Sequence, residues 1–274
     1  MGDLRKSERK VADLVLGDPA SILDMRIIDL ATKAKVSEPT VVRFCRALGY
    51  DGFQSFKLQL ARYLGSSGIY SQFSVSDTDS MGDVTRKVFD STIGSLLAVR
   101  EELNITALES AIAALAEAQR VEFYGFGASG SVAIDAQHKF FRLQVTAAAY
   151  TDPHIQHMSA ISLKANDVVV AISQSGRSTA LIQSLKLAQE ARATVIGLVP
   201  DHTPVAELCD IPIHINVEDN QNRFTPVSSR IAHLVIIDVL AMGVAQLCGS
   251  TLQDHLKKLN KSLKTLRSSK RKKG

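Results

Sequence analysis

Residues 167–179 read DVVVAISQSGRST, and this stretch decides how the second half of the chain folds. Its first part is a run of β-branched residues, Val168 to Val170, which is typical of a strand buried on both faces of a parallel sheet. A polar loop follows, and residues 180–191 (ALIQSLKLAQEA) then place apolar side chains at helical spacing. The stretch therefore predicts a strand, a loop and the start of a helix.

The loop of this stretch has the composition of an anion-binding site. The first backbone N–H groups of a helix have no partners within the helix and lie at the positive end of its dipole. Hydroxyl groups, a flexible glycine and an arginine stand beside that position, which favours a phosphate or carboxylate, although such turns also occur without a ligand. The candidate binding residues are Ser173, Gln174, Ser175, Gly176, Arg177, Ser178 and Thr179.

Strands and helices alternate on both sides of this stretch. The other predicted strands cover residues 121–124, 145–150, 194–199 and 211–215, and the helices around them cover 132–143, 153–160 and 228–247. This alternation is typical of a parallel sheet with helices on both faces, whose ligand crevice lies at the carboxyl ends of the strands near a switch in strand order. We therefore expect an α/β fold with a five-stranded parallel sheet.

A second loop rich in glycine and serine leaves the first predicted strand. It reads GFGASGS over residues 125–131 and adds Gly127 and Ser129 to the candidate binding residues. GFGASG matches the G-x-G-x-x-G pattern of dinucleotide sites, but residues 144–147 (QVTA) stand where an acid should bind the ribose. The loop at 173–179 has no lysine after its glycine, which disfavours an NTP-hydrolysing loop. A small anionic ligand fits the two loops better, and no cofactor is predicted.

The first 64 residues contain short amphipathic helices and no strand pattern. Predicted helices cover residues 7–16, 27–34, 37–48 and 53–64. The second and third are joined by a tight turn, and the third begins with a polar turn and has arginines on its outer face. This is the pattern of a helix-turn-helix DNA-binding domain, although an ordinary helical bundle with solvated arginines has the same spacing.

The third helix supplies the candidate DNA-binding residues. Its apolar positions Val41, Phe44, Cys45 and Leu48 are expected to face the core. The polar positions would then face outward, where they could meet phosphates and base edges in a major groove. The candidates are Ser37, Thr40, Arg43 and Arg46.

Composition shifts divide the chain into four segments. Residues 65–83 are rich in Gly, Ser and Asp and have no helical periodicity, so they mark a boundary. We expect a helix-turn-helix domain over 1–64, a linker and connecting helix over 65–105, the α/β domain over 106–248 and a basic tail over 249–274.

Charge is distributed unevenly along these segments. The net charge is +4, yet residues 257–274 contain nine Lys and Arg and no acid, residues 1–64 have an excess of three bases, and the middle carries −8. Basic ends suggest a polyanionic partner, although a lysine-rich tail is also typical of a solvated chain end.

The sequence also restricts compartment and metal chemistry. Its three cysteines, Cys45, Cys209 and Cys248, form no CxxC pair, which argues against a disulfide framework or a zinc site and favours a reducing compartment. Residues 1–10 are charged and do not resemble a signal peptide. The apolar segment 231–248 is interrupted by His233 and Asp238, so we expect a buried helix and not a membrane span. A cytoplasmic protein is predicted.

Several segments together resemble the RpiR family of transcriptional regulators, in which a helix-turn-helix domain precedes a sugar isomerase (SIS) domain. These are LRKSERKVADLVL (4–16), VSEPTVVRFCRALGYDGFQSFKLQLA (36–61), YGFGASG (124–130), VVVAISQSGRS (168–178) and VSSRIAHLVIIDVLA (227–241). Members generally have further residues before the first helix, so Met1 is expected to be a late or truncated start.

The resemblance implies a function and a set of ligand contacts. Within the family the sequence is most similar to repressors of hexose catabolism, whose effector is the phosphorylated sugar acid 2-keto-3-deoxy-6-phosphogluconate. The family's ligand pattern falls on Ser129, Ser173, Ser175 and Ser178-Thr179. It implies a regulator, not an enzyme, that is released from DNA by its effector. Since helix-turn-helix proteins usually act as dimers, we expect a homodimer on a pseudo-palindromic operator.

Two other functions remain open from the sequence. A sugar-phosphate isomerase would use the same α/β domain and needs a base, for which Glu218, His154, His157 and His233 are candidates, although none stands in a recognisable acid/base pair. An SIS interaction module without DNA binding is the other alternative.

Overall fold

A computed structural model describes residues 4–66, 77–217 and 227–265 of the chain. The chain divides into two compact units, Met1–Ala98 and Val99–Gly274. The described part of the first unit is helical, and the second unit contains a five-stranded parallel sheet with helices. The predicted fold class, an all-α unit followed by an α/β unit, is confirmed.

The first unit is built from short helices. They are α1 (Lys6–Gly17), α2 (Pro19–Asp24), α3 (Ile27–Lys33), α4 (Glu38–Ala47), α5 (Phe53–Ser66) and α6 (Met81–Glu102), which continues into the second unit. Helix α2 was not predicted, because Gly17, Asp18 and Pro19 indicate the end of a helix. Here Asp18 caps the new helix by accepting a hydrogen bond from the Ser21 backbone N–H, and proline is tolerated in its first turn.

The core of the first unit forms around helix α4. Val41, Phe44 and Cys45 are buried as predicted, and the Phe44 ring packs edge-on against Phe56 with centroids 5.5 Å apart. The prediction for Leu48 is wrong, because 45% of this residue is exposed. The helix ends at Ala47 and Leu48 is the C-cap residue, so the helical periodicity no longer directs its side chain inward.

The second unit alternates strands and helices. Its elements are α7 (Ile105–Glu117), β1 (Arg120–Tyr124), α8 (Gly127–Arg142), β2 (Ala147–Tyr150), α9 (Pro153–Ile161), β3 (Asp167–Ile172), α10 (Thr179–Glu190), β4 (Thr194–Val199), β5 (Ile211–His214) and α11 (Ser228–Thr265). The strands pair in parallel in the order β2-β1-β3-β4-β5. Every residue of the central strand β3 is buried, as its β-branched run predicts.

Helices cover both faces of the sheet. Helix α11 packs on α7 and α8, while α9 and α10 pack together on the other face. Strand residues alternate accordingly: Phe123 contacts Phe140 of α8, with ring centroids 5.2 Å apart, whereas Tyr124 and Val169 join the cluster that includes Leu181 of α10.

A buried carboxylate connects β1 to α9. The Glu122 carboxylate accepts hydrogen bonds from the Tyr124 hydroxyl at 2.6 Å and the Ser159 hydroxyl at 2.7 Å, and Arg120 lies 3.2 Å away. Burial raises the pKa of Tyr124, so this phenol remains a donor. Because the charge is paired and hydrogen-bonded, it fixes α9 against the sheet without an isolated buried ion.

Helix α11 differs from its prediction in two ways. It continues beyond Leu247 to Thr265 through a kink at Gly249, whose φ of 60° and ψ of −141° are not helical. Residues 228–249 are long and apolar enough to cross a membrane by length and composition, and 33% of this segment is buried within the chain. The expectation of a buried helix therefore holds for one face, and the other face exposes apolar side chains, namely Val235, Val239, Met242 and Leu247.

Candidate functional site

The two loops rich in glycine and serine meet at one point of the sheet. Strands β1 and β3 are neighbours, with Tyr124 opposite Ala171. From β1 the chain goes to β2 on one side, and from β3 it goes to β4 on the other. Strand order therefore reverses between β1 and β3, and ligands of open α/β sheets bind in the crevice at such a point. Residues 125–131 and 173–179 both leave the sheet there.

The first loop is shorter than predicted. Residues 127–131 already belong to helix α8, so only Gly125 and Phe126 are non-helical. The reason is steric: a Cβ on Gly125 would lie 2.6 Å from the Ser129 carbonyl oxygen, so only glycine lets the helix start this close to the strand. Ser129 is half-buried in the first turn of α8, and Gly127 is exposed with a φ of +55°.

The second loop is held by its own side chains. Ser173 is buried, with 6% of the residue exposed. Its hydroxyl accepts a hydrogen bond from the Gly176 backbone N–H at 3.1 Å. Gly176 has a φ of +61°, and a Cβ there would overlap the Thr203 side chain. The Gln174 side chain donates to the Val217 carbonyl at 2.6 Å, which ties the loop to the chain after β5.

The outer part of this loop is more open. Ser175, Arg177 and Thr179 are exposed, and Ser178 is half-buried. The Ser175 hydroxyl accepts a hydrogen bond from the Arg177 backbone N–H at 3.3 Å. The crevice thus combines a fixed inner hydroxyl, Ser173, with outer hydroxyls that a ligand can reach.

Helices α8 and α10 begin without side-chain caps. Their N-cap residues, Phe126 and Ser178, make no capping hydrogen bond. In the same unit Asn104 caps α7, and Asp152 caps α9. Among α7, α8, α9 and α10, the two uncapped helices are those that follow β1 and β3. Their open N–H groups and positive dipole ends provide an anion-binding site at the crevice.

A buried histidine lies next to the second loop. His233 of α11 is 1% exposed, and its imidazole donates a hydrogen bond to the Leu198 carbonyl. The Ser173 backbone N–H donates to the same carbonyl at 3.1 Å. Burial lowers the pKa of His233 to about 4, so the ring is neutral near pH 7.

The other candidate bases are not part of the second loop. His154 and His157 are exposed on α9, and Glu218 lies outside the described residues. Burial raises the pKa of Cys45 to about 11 and that of Cys209 to about 12, so both remain thiols. Within residues 4–66, 77–217 and 227–265, no three His, Cys, Asp or Glu side chains are grouped to hold a metal ion.

Helices α3 and α4 form the pair joined by a tight turn. Lys35 in that turn has a φ of 52°. Ser37 is the N-cap residue of α4 and is exposed, as are Arg43 and Arg46. The Arg46 guanidinium makes one long contact, 3.5 Å from its Nε to the Asp51 carbonyl. The two arginines lie three residues apart, so they share one face of the helix.

Thr40 does not face outward as predicted, because only 4% of it is exposed. Its hydroxyl lies 3.0 Å from the Ser37 hydroxyl and accepts a hydrogen bond from Arg43 Nη2 at 2.9 Å. Arg43 Nε also lies 3.9 Å from the carboxylate of Glu8, which is buried in α1. Thr40 therefore orients Arg43, and a contact of its own with DNA is not supported by this geometry.

Sequence reasoning missed the distant partners of these sites. Thr203, the Val217 carbonyl and Glu8 each lie more than 25 residues from the residue that they contact, which is Gly176, Gln174 and Arg43, respectively. No local pattern marks such contacts, since they depend on how the strands and helices assemble. His233 could be recognised in the sequence as a polar residue within an apolar helix. This pattern indicated a candidate base and not its contact with Leu198.

Two family models match the chain. A model described as a helix-turn-helix domain of the rpiR family matches residues 2–67, and a model described as an SIS domain matches residues 114–243.

Curated relatives of two kinds are similar to the chain. The HexR transcriptional regulator of Pseudomonas aeruginosa is 38% identical over 263 residues, which cover 96% of this chain and 92% of that protein. HexR of Escherichia coli is 39% identical over 264 residues, covering 96% and 91%. The bifunctional protein glk of Burkholderia thailandensis is 44% identical over 245 residues, and there the chain spans only 38% of the relative's length.

Solved structures share the fold. The Vibrio vulnificus NanR protein, complexed with ManNAc-6P, aligns with a TM-score of 0.62 and 24% identity over 98% of this chain and 97% of that one. The sugar isomerase domain of an RpiR transcription factor from Sphaerobacter thermophilus aligns with a TM-score of 0.59 and 18% identity, covering 65% of this chain and 98% of that one. Together with the HexR relatives, the domain matches show that this chain belongs to the RpiR family of helix-turn-helix transcriptional regulators with an SIS domain.

Proposed function

We propose that this regulator is a cytoplasmic repressor of sugar-acid catabolism genes that releases DNA when a phosphorylated sugar acid, 2-keto-3-deoxy-6-phosphogluconate, binds between residues 125–131 and 173–179. The observation that carries the proposal is the pair of uncapped helix starts beside Ser129 and Ser173 at the strand switch. Donors of this kind suit a phosphate, which has only acceptor oxygens near neutral pH. The chain therefore senses the sugar acid and does not convert it.

A thermal-shift screen tests the effector. The probes are 2-keto-3-deoxy-6-phosphogluconate, 6-phosphogluconate, glucose 6-phosphate and their unphosphorylated forms. A ligand at 100 times its dissociation constant should stabilise the α/β unit by about 2.7 kcal/mol. We expect this from a phosphorylated acid and not from its unphosphorylated form. Equal stabilisation by both forms, or by neither, contradicts a phosphate site.

The DNA contact is proposed to come from Arg43 and Arg46. Both are exposed on α4, and Arg43 is oriented by Thr40 and Glu8. Arg43→Ala should weaken operator binding by roughly 1–3 kcal/mol if the guanidinium reads a base. Fluorescence anisotropy on operator DNA measures this. Arg26, held by Asp29 at the start of α3, is the matched control, and Arg26→Ala should leave operator affinity unchanged.

The control also defines the outcome that contradicts this assignment. If Arg43→Ala binds operator as well as Arg26→Ala does, Arg43 makes no operator contact. A loss that is equal on operator and on random DNA, with a smaller salt slope, assigns Arg43 to a phosphate instead of a base.

A homodimer is proposed to form through the exposed apolar face of α8 and α11. Ile134 and Phe141 of α8, and Val235, Val239 and Met242 of α11, are exposed on two helices that pack side by side. Lys139 and Asp238 pair across these helices at 2.5 Å. An apolar area of this kind marks an interaction surface, and a two-fold operator supplies the reason for a second copy.

A charge placed in this surface tests the dimer. Met242 is 71% exposed, so Met242→Glu removes little from the fold of one chain. We expect it to shift sedimentation equilibrium from dimer to monomer and to weaken operator binding. A dimer of unchanged stability in Met242→Glu contradicts this interface.

A further inference from the structure

Two buried acceptor atoms beside the effector crevice have no hydrogen-bond partner among the residues that the structure describes. The Gln174 side chain uses its Nε2 to donate to the Val217 carbonyl, and its Oε1 is buried with no hydrogen-bond partner in the described chain. His233 donates to the Leu198 carbonyl, and its Nε2 is likewise buried and unpartnered. Buried polar atoms are nearly always hydrogen-bonded, so each of these needs an explanation.

The protonation state of His233 follows from its contacts. Since Nε2 has no partner, the nitrogen that donates to Leu198 is Nδ1. A neutral ring has one N–H group, so Nε2 carries a lone pair and can only accept. Burial holds the pKa of this imidazole at about 4, which keeps it neutral. The Gln174 Oε1 is also an acceptor, so both free atoms require a donor.

The phosphate ester of the effector is not that donor, because it is mainly a dianion near neutral pH. Phosphate oxygens accept hydrogen bonds, and two more acceptors beside them would be repulsive. The hydroxyl groups of a sugar acid donate, and they lie on the same ligand as its phosphate. Both side chains are connected to the second loop: Gln174 belongs to it, and His233 shares the Leu198 carbonyl with the Ser173 backbone N–H.

We propose that Gln174 Oε1 and His233 Nε2 form a hydroxyl-reading subsite that accepts hydrogen bonds from the carbon chain of the phosphorylated effector. The helix starts and serines hold the phosphate, and these two atoms select a polyhydroxy ligand over inorganic phosphate. This subsite rests on the proposed function, because it presupposes an effector in the crevice.

Access to the subsite requires a local movement. Both atoms are closed to solvent, so a ligand reaches them only when the second loop or the start of α11 shifts. Unpaired acceptors raise the free energy of the closed form, and a ligand hydroxyl removes that cost in the bound form. A ligand that binds only the shifted form raises the population of that form relative to the closed form. A regulator needs such a change of population to respond to its effector.

Calorimetry with two probes tests the subsite. The probes are 2-keto-3-deoxy-6-phosphogluconate and inorganic phosphate, the latter by competition. We expect His233→Leu to lose at least tenfold affinity for the sugar acid, while its affinity for inorganic phosphate stays within twofold. Gln174→Leu should also lose at least tenfold affinity for the sugar acid, with a smaller loss for phosphate, because this variant also frees the loop from the Val217 carbonyl. His233→Gln keeps an acceptor and should recover part of the sugar-acid affinity. Operator binding and the melting temperature of each variant report its folding.

The outcomes separate the subsite from the site as a whole. If the wild-type chain binds neither the sugar acid nor phosphate, the proposed function fails. If it binds both, and His233→Leu loses both affinities equally or neither of them, the site stands and the subsite is wrong. His233→Gln should bind the sugar acid more tightly than His233→Leu does. If it does not, the role of Nε2 is also wrong.

Discussion

Helices α9 and α10 begin at the same edge of the sheet but use their first backbone N–H groups differently. Asp152 caps α9 by accepting hydrogen bonds from the N–H groups of His154 at 2.9 Å and Ile155 at 3.0 Å. Ser178 stands at the equivalent place in α10 and makes no such bond. A carboxylate thus occupies the anion site of the helix beside an edge strand, and the helix beside the strand switch keeps its site open.

Within the same α/β unit, the capped start of α9 therefore contributes to stability, and the open start of α10 is available for a ligand. Side-chain caps stabilise helices by about 1 kcal/mol each, so an uncapped start is a small cost. The chain carries that cost at α8 and α10, the two helices that flank the crevice. Local rules are expected to fail at functional sites in this way.

The largest effect on the ligand is expected when α10 receives the kind of cap that α9 has. In Ser178→Asp the new carboxylate can accept from the first N–H groups of α10, so the unit should be as stable as wild type or more so. It also places a negative charge where the phosphate should lie. Like charges in contact cost several kcal/mol, so effector affinity measured by calorimetry should fall at least a hundredfold.

Two variants make this experiment specific. Ser178→Asn caps the helix without a charge and should lose much less effector affinity than Ser178→Asp. Asp152→Ala removes the cap of α9, and should lower stability by about 1 kcal/mol with effector affinity unchanged. If Ser178→Asp binds the effector with wild-type affinity, the assignment of the anion site to α10 is wrong. It is also wrong if Asp152→Ala loses as much effector affinity as Ser178→Asp does.

His233 extends the contrast to a buried polar group. Its pKa is lowered from 6.5 to about 4 in the folded chain, so the unfolded chain binds the proton first as pH falls. The stability that neutral His233 contributes is fully present above about pH 6.5 and is lost as pH falls toward 4, by about 3 kcal/mol in total. Denaturant unfolding of wild type and His233→Gln at pH 7 and pH 4.5 measures the difference.

Between pH 7 and pH 4.5, we expect the free energy of unfolding to fall more for wild type than for His233→Gln. Groups common to both chains titrate equally and cancel in the comparison. Parallel losses in the two chains would mean that the pKa of His233 is the same in the folded and the unfolded chain, so that burial does not lower it.

What the sequence could predict follows from local physics. The β-branched run of β3 and the amphipathic spacing of α4 identify buried faces, because burial repeats with the period of the element. The loops at residues 125 and 173 were proposed as a site because a turn rich in glycine and hydroxyl groups, placed between a strand and a helix, presents N–H and O–H donors to an anion. The burial of Thr40 was missed because its polar side chain was assigned to the outer face, although it lies four residues before Phe44 and shares that buried side of α4.

The site depends even more on distant residues. Thr203 confines Gly176 and the Val217 carbonyl holds Gln174, and neither has a sequence signal near the loop. The start of α8 at Gly127 was predicted five residues too late, since glycine and serine are poor helix formers and the steric need at Gly125 is visible only in three dimensions. Tertiary packing therefore decides the finer geometry of the crevice.

The crevice at Ser173 is proposed to control DNA binding through a ligand. The most direct test titrates 2-keto-3-deoxy-6-phosphogluconate into the operator complex of wild type and of Ser173→Ala, with operator release followed by anisotropy. Ser173→Ala should bind operator like wild type without effector. It should then need roughly 10 to 100 times more effector for half release, because one hydrogen bond to a charged group is lost. Release of Ser173→Ala at the wild-type effector concentration would contradict the account.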